Sequence, residues 1–329
     1  MTFSGLRPPV ESSLPGTHLL QKSQRHTTMQ IIKGKTTWID IFKPNAADIE
    51  VLKKHHAFHP IILEELLQPS ARGRVEHYKE YLFVVYHIPV YDPKTRTSRR
   101  AEIDILVTKN SFILVRYEQL EQIDAFINEI GRNAQLQKEL LGGESFMALY
   151  RVMEEIIKFS LRQLRHVEEQ VHYVATEIFS GRETELLKNI SYIKRNILDY
   201  RLIVRPHDSM FHSLRENGST FWGEKSRIYL ADLVGDNLKV TQNLENYFEI
   251  IESLENTNGQ LLSAATNATI QRFTVLAFLL TIPLFFVFLT DNHFGQTLIG
   301  STGMFWTVLV LIFVLVGALA VVFKKKKML

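Results

Sequence analysis

Residues 273–290 read FTVLAFLLTIPLFFVFLT, and residues 298–323 read LIGSTGMFWTVLVLIFVLVGALAVVF. Neither stretch, of 18 and 26 residues, contains Asp, Glu, Lys or Arg. A helix needs about 20 apolar residues to cross a hydrocarbon core of about 30 Å, so both are long enough to span a bilayer. Helices this apolar on every side rarely serve as core elements of a soluble domain, which favours membrane spans. Seven residues, 291–297, join them without a Lys or Arg. The spans therefore read as a helical hairpin with both ends on one side. Arg272 precedes the first, and Lys324, Lys325, Lys326 and Lys327 follow the second. The positive-inside rule then places both flanks in the cytoplasm. The expectation is an inner (plasma) membrane protein with N- and C-termini cytoplasmic and residues 291–297 facing out.

The chain has 329 residues, 46% of them apolar, and no cysteine. That is enough to build a full core, and it excludes disulfides and cysteine-ligated metal sites. Once Asp291 and the four terminal lysines are set aside, the chain's 38 basic and 35 acidic residues balance. A neutral soluble part gives no electrostatic reason to expect nucleic acid as a partner. Residues 1–28 lack the apolar core of a secretory signal and read as a disordered lead-in.

Working back from the spans, no proline occurs between Pro206 and Pro283. Leu230, Leu233, Leu244, Phe248, Ile251, Leu254 and Leu261 recur at coiled-coil-like spacing. A single helix is therefore expected from near Gly223 to Thr290, roughly 100 Å long at 1.5 Å per residue, running out of the membrane as a stalk. Its apolar stripe would be exposed on a lone stalk, so self-association is the expected way to bury it. Upstream, residues 146–179 and 183–204 read as antiparallel helices broken at Ser180-Gly181. From Ile31 to Glu118, the runs TTWIDIF, YLFVVYHIPVY, IDILVT and SFILVRY read as a small, largely antiparallel sheet. Residues 46–54 and 61–67 look like helices against it, and 121–141 like a third, ended by Gly142-Gly143. The resulting division is 1–28 lead-in, 29–220 α/β domain with a helical hairpin, 221–272 stalk, 273–290 first span, 291–297 loop, 298–323 second span and 324–329 basic tail.

Several pieces in this order resemble the CorA-type magnesium transporters, the two-transmembrane GxN superfamily that includes the ZntB zinc transporters. They are His59-Pro60 with Leu63-Glu64, the stretch from Arg74-Val75-Glu76 to Tyr81-Leu82-Phe83, the turn region 106–112, Lys194-Arg195-Asn196, and the lysines before a short apolar tail. The resemblance covers roughly four-fifths of the chain, from about His59 onward. It implies an α/β cytoplasmic domain plus long stalk helix and two-helix transmembrane hairpin, assembled as a funnel-shaped homopentamer. Five first spans would line an axial pore, and the second spans would form an outer ring against the lipid bilayer. The family's Gly-Met-Asn signature, an asparagine ring at the outer end of the first span, is missing. A gapless alignment of the stalk puts Asp291-Asn292-His293 in its place, while Gly303-Met304-Phe305 lies inside the second span.

If the first span lines a pore, Asn267, Ile270, Thr274, Ala277, Thr281, Leu284 or Phe285, and Phe288 share its inner face. Asn267 matches an asparagine that the family places at the cytoplasmic mouth. Thr274 and Thr281 either offer hydroxyl rings or back-bond to their own helix, and five Phe288 rings would gate by dewetting. At the outer mouth Asp291 is either one member of a carboxylate ring, with Asn292 and His293 beside it, or a solvated helix cap. His293 is either a ligand for a soft ion such as zinc or polar surface. In the stalk, Asp232, Asp236, Glu245, Glu249, Glu252 and Glu255 have few basic neighbours in sequence. The family senses magnesium with acidic pairs between protomers, so this stretch is either a cytoplasmic sensor, with Asp232, Asp236 and Glu245 as candidates, or an ordinary solvated helix face. Gly235 occupies the position of one family sensor aspartate. His55, His56 and His59 include an i, i+4 pair with the spacing of a metal chelate, or else form an exposed cluster. No nucleotide loop, nucleophile–base pair or paired catalytic carboxylates appear, so no enzyme activity or cofactor is expected. The expected function is passage of a divalent cation (Mg, Zn, Co or Ni), with that ion as substrate and as gating ligand. The alternative is a non-conducting regulatory or scaffold protein on the same frame.

Overall fold

The structure, a computed structural model, describes residues 29–291 and 302–325. The expectations for residues 1–28, for Asn292 and His293, for 294–301 and for 326–329 lie outside these residues. Six strands form one sheet: β1 (Met29–Ile32), β2 (Thr37–Phe42), β3 (Arg74–His77), β4 (Tyr81–Asp92), β5 (Thr97–Thr108) and β6 (Ser111–Arg116). The order is β1-β2-β6-β5-β4-β3, antiparallel throughout except for the parallel β2–β6 pair. The β4–β5 hairpin closes as Asp92-Pro93 predicts: the Asp92 side chain accepts from Lys94 N at 2.9 Å, and its carbonyl from Arg96 N at 2.9 Å.

The central strands are apolar on both faces because each face is covered. On one side Phe83, Val85, Leu106, Ile113 and Val115 meet α1 (Ala46–His55) and α2 (Pro60–Glu65). On the other, Leu82, Val84, Tyr86, Ile103, Ile105 and Phe112 join the core built with the later helices. Asn45 and Asp48 form a reciprocal capping box at the start of α1. His59 caps α2 with Pro60 at its first position, where the missing N–H costs nothing.

The helix expected over 121–141 is two helices, α3 (Glu121–Arg132) and α4 (Ala134–Leu141). The break is Asn133, in extended conformation, whose side chain accepts from Gln135 N (3.0 Å) and Leu136 N (3.2 Å). A short amide that caps a new helix competes with continuing the old one. Next come α5 (Phe146–Glu177), α6 (Glu183–Val204) and, after Pro206, α7 (His207–Trp222). Gly223 then adopts φ 91°, ψ 179°, a region open essentially to glycine alone. From there α8 (Glu224–Asp291) runs for 68 residues. The last helix is α9 (Thr302–Lys325).

Much of the stalk stripe is covered without a second copy, with Phe248, Leu254 and Leu261 only partly buried. Leu230, Leu233, Leu244 and Ile251 are at most 1% exposed within one chain, because α5, α6 and α7 pack along the first half of α8. The expectation of an exposed stripe failed for these residues because it treated the stalk as solitary, whereas the preceding helices supply its partner. Residues 263–274 of α8, in contrast, are exposed on every side.

Candidate cation pathway

Beyond the soluble domain, the C-terminal part of α8 and all of α9 are long and apolar enough to cross a membrane. Within the first span, Val275, Leu279 and Phe286 are buried. They lie on one side of the helix, where the Phe286 ring meets Phe305 of α9 with centroids 5.7 Å apart. Asn267, Ile270, Thr274, Ala277, Thr281, Leu284 and Phe288 alternate at three and four residues and lie on the opposite side, all exposed. Leu284 at 71% and Phe288 at 64% show that α9 does not cover this face.

Both threonines back-bond: Thr274 Oγ1 donates to the Ile270 carbonyl (2.9 Å) and Thr281 Oγ1 to Ala277 (2.8 Å). The two readings of these residues are compatible. A hydroxyl that spends its hydrogen on its own helix presents only lone pairs outward, and lone pairs are what a cation coordinates. Pro283 lies within the helix and has no N–H for the Leu279 carbonyl, so one backbone oxygen of this span lacks its helical donor. Asp291 is the last helical residue of α8.

The acidic stalk is paired more fully than its sequence suggests. Asp232 accepts from the Tyr150 hydroxyl at 2.8 Å, and burial together with that bond pushes the phenol up to about 12. Asp236 holds Lys239 at 2.7 Å, Glu245 holds Arg201 at 3.0 Å, and Glu252 and Glu255 share Lys194. Arg201 and Lys194 come from α6, so only the fold reveals them as partners. Among the described residues no three His, Cys, Asp or Glu side chains converge as a metal site. His55 ends α1, His56 stacks on Phe58, and His59 Nδ1 accepts from Ile61 N at 3.3 Å as a helix cap. The i, i+4 chelate reading fails there, because α1 ends at His55 and the chain is extended at His56 and at His59, so the two imidazoles do not share a helix face.

Sequence reasoning passed over a buried polar set in the sheet: His87, Glu102, Asp104 and Arg116. The signal was present as polar letters interrupting apolar strands, as in AEIDILV. Asn196, quoted above only as part of a tripeptide, is 1% exposed and takes a hydrogen bond from Ser98 at 2.8 Å, tying α6 to β5.

A soluble α/β domain continued by one very long helix into the first of two apolar helices is the architecture of a two-span membrane protein. The family model described as "CorA-like Mg2+ transporter protein" matches residues 33–325, and the chain belongs to that family. It is 21% identical over 297 residues to the cobalt/magnesium transport protein CorA of Thermotoga maritima, covering 88% of this chain and 83% of that one. Its fold is similar to the complete CorA magnesium transporter of Methanocaldococcus jannaschii, with TM-score 0.73 at 17% identity over 88% and 90% of the two chains. The ZntB cytoplasmic domain of Vibrio parahaemolyticus is also similar, with TM-score 0.54 at 14% identity over 71% and 90%.

Proposed function

We propose that the chain assembles as a funnel-shaped homopentamer in the inner membrane and passes a divalent cation (Mg, Zn, Co or Ni) through an axial pore lined by the first spans. The observation that carries this reading is the exposed row from Asn267 to Phe288, opposite the side of α8 that meets α9. Such a row combines an amide, two outward-facing hydroxyl oxygens and apolar constrictions, the parts from which a wetted and gated path is built. Residues 263–274, exposed all round, are the stretch that five copies would cover in one another. In this arrangement the spans form a hairpin, both termini are cytoplasmic, and α9 faces lipid.

At the outer mouth, Asp291, Asn292 and His293 take the place of Gly-Met-Asn, so a carboxylate ring rather than an amide ring collects cations, with His293 favouring softer ions. On the cytoplasmic side Asp232 and Asp236 sit one turn apart and serve as the sensing pair. A divalent ion there competes with Tyr150 and Lys239, and Glu245 must exchange Arg201 for metal. The ion is substrate and gating ligand, and no other cofactor is invoked.

Uptake of a panel of divalent ions into proteoliposomes tests the reading. Flux above that of empty vesicles is expected for at least one ion. Protein that is pentameric yet passes none of them would instead be the non-conducting regulator or scaffold.

A further inference from the structure

Asp104 lies in the middle of β5 and is fully buried. Its neighbours across the sheet, Val85 on β4 and Val115 on β6, are also fully buried, so apolar side chains flank the carboxyl on both sides. One of its oxygens, Oδ1, has no hydrogen-bond partner among the described residues. The other, Oδ2, lies 2.5 Å from the Tyr117 hydroxyl. That same hydroxyl lies 3.2 Å from the carbonyl of Leu66, the residue that closes α2.

Counting hydrogens ties the protonation state to the bonding pattern. A phenol has one hydrogen, and a backbone carbonyl can only accept. If Tyr117 donates to Leu66, the hydrogen in the short contact with Asp104 must come from Asp104. If Asp104 is ionised, it takes the phenol's only hydrogen and leaves the Leu66 carbonyl without this donor.

The charged groups around the carboxyl favour the neutral form. Glu102, two residues along β5, is held by Ser70 N (2.6 Å) and by His87 of β4 (2.9 Å). Glu65 of α2 is paired with Arg74 of β3 at 2.6 Å, and Arg74 is also engaged by Glu76. The guanidinium that acts on Asp104, Arg74, is therefore already engaged by other carboxylates, while Glu102 and Glu65 add negative charge. Burial, followed by these two neighbours, pushes Asp104 well above the usual carboxylate range despite the opposing bond from Tyr117 and charge of Arg74. Burial and Asp104 likewise push the Tyr117 phenol up, so Tyr117 keeps its hydrogen.

We propose that Asp104 is the neutral acid in the folded protein and donates to Tyr117, which in turn donates to Leu66, so that a single proton latches the end of α2 onto the sheet. A carboxyl whose folded pKa is raised stabilises the structure below its unfolded value and loses that contribution as pH rises through the folded one. The latch therefore holds in acid and releases with alkali, which makes α2 and the segment 66–73 that follows it open more often. This makes the α2 layer of the soluble domain a proton-sensitive element, independent of which ion the pore passes.

Hydrogen exchange of the full-length protein in detergent, read on peptides covering 60–73 and corrected for intrinsic rates between about pH 5 and about pH 9, tests this. Protection should fall about tenfold per pH unit from the acid end, because the released carboxyl ionises above its ordinary value near about 3.9, and should level off once the folded acid has itself titrated. Asp104→Asn keeps a donor in the same place and cannot titrate, so its protection should stay flat. Tyr117→Phe should be poorly protected at every pH. The infrared spectrum of the wild type should hold a protonated-carboxyl C=O band at the acid end that Asp104→Asn lacks. If the Asn variant does not fold, the wild-type band and exchange profile decide the matter. A wild-type profile flat across the whole range, or no such band at the acid end, would overturn the latch.

Discussion

Lys194 of α6 reaches Glu255 of α8, Nζ to Oε2 at 2.5 Å, with Glu252 3.5 Å from the same ammonium. This is a tie between the helical hairpin and the stalk at the level where the stalk leaves the soluble domain. Lys194 and Glu255 are half-buried and Glu252 is exposed, so the pair stays in reach of water, contributes on the order of 0.2–1 kcal/mol and is screened by salt. Lys194→Met should therefore lower the melting temperature slightly at low ionic strength, and the difference should vanish near 1 M salt. An equal loss at both ionic strengths would show that the ammonium's place over the Phe248 ring, 5.9 Å from its centroid, matters more than the screened ion pair.

His207 opens α7 at 2% exposure, stacked on Tyr86 with centroids 4.3 Å apart and accepting or donating at 3.2 Å between Nδ1 and the phenol. Burial pushes its imidazole down to about 3. The folded state thus holds it neutral while the unfolded chain titrates near 6.5. A depressed pKa stabilises above the unfolded value and loses that contribution as pH falls, here from about 6.5 toward 3, at about 1.4 kcal/mol per unit. Denaturant unfolding should show His207→Phe less stable at neutral pH, because Tyr86 loses its partner, yet with a shallower decline into acid. A variant whose stability falls as steeply as wild type would assign the acid sensitivity to other groups.

How much of this was legible beforehand follows from how local each signal is. The spans, the long helix and the β4–β5 hairpin are written in contiguous letters: two uncharged runs, a proline-free stretch, and Asp92-Pro93. Features that depend on a distant partner could not be read. Arg201 and Lys194 neutralise the stalk from more than forty residues away, and α5, α6 and α7 bury much of a stripe that seemed to require another copy. Asn133 misled in the opposite sense, since apolar periodicity continues across it while its amide caps the next helix. Helix periodicity places the row Asn267 to Phe288 on one side of α8, whereas its role as a pore lining came from the resemblance. That it lies opposite Phe286 and α9 is information only the fold supplies.

Phe288 is the bulkiest residue of that row and is 64% exposed near the C-terminal end of α8. In the proposed pentamer five such rings would close an apolar constriction that resists wetting. Phe288→Ala should raise ion flux in proteoliposomes while the oligomer, sized in mild detergent, stays the same. Unchanged flux from a normally assembled protein would place the ring against lipid or a neighbouring helix and would rotate the pore face about the axis of α8.

Asp291 ends α8 and is the only acidic residue after Glu255. With Gly-Met-Asn absent, it is the single fixed negative charge available to the proposed outer mouth, and fivefold symmetry would multiply it. In such a ring protons and divalent ions would compete for the same carboxylate oxygens. Competition between protons and metal would then weaken uptake as external pH falls. Asp291→Asn removes both the attraction and the competition. Uptake should weaken most at low external metal and lose most of its pH dependence, with assembly unchanged because the substitution is isosteric. Transport by the Asn variant with wild-type apparent affinity and pH profile would reduce Asp291 to a solvated helix end and leave cation selection to the threonine oxygens deeper in the span.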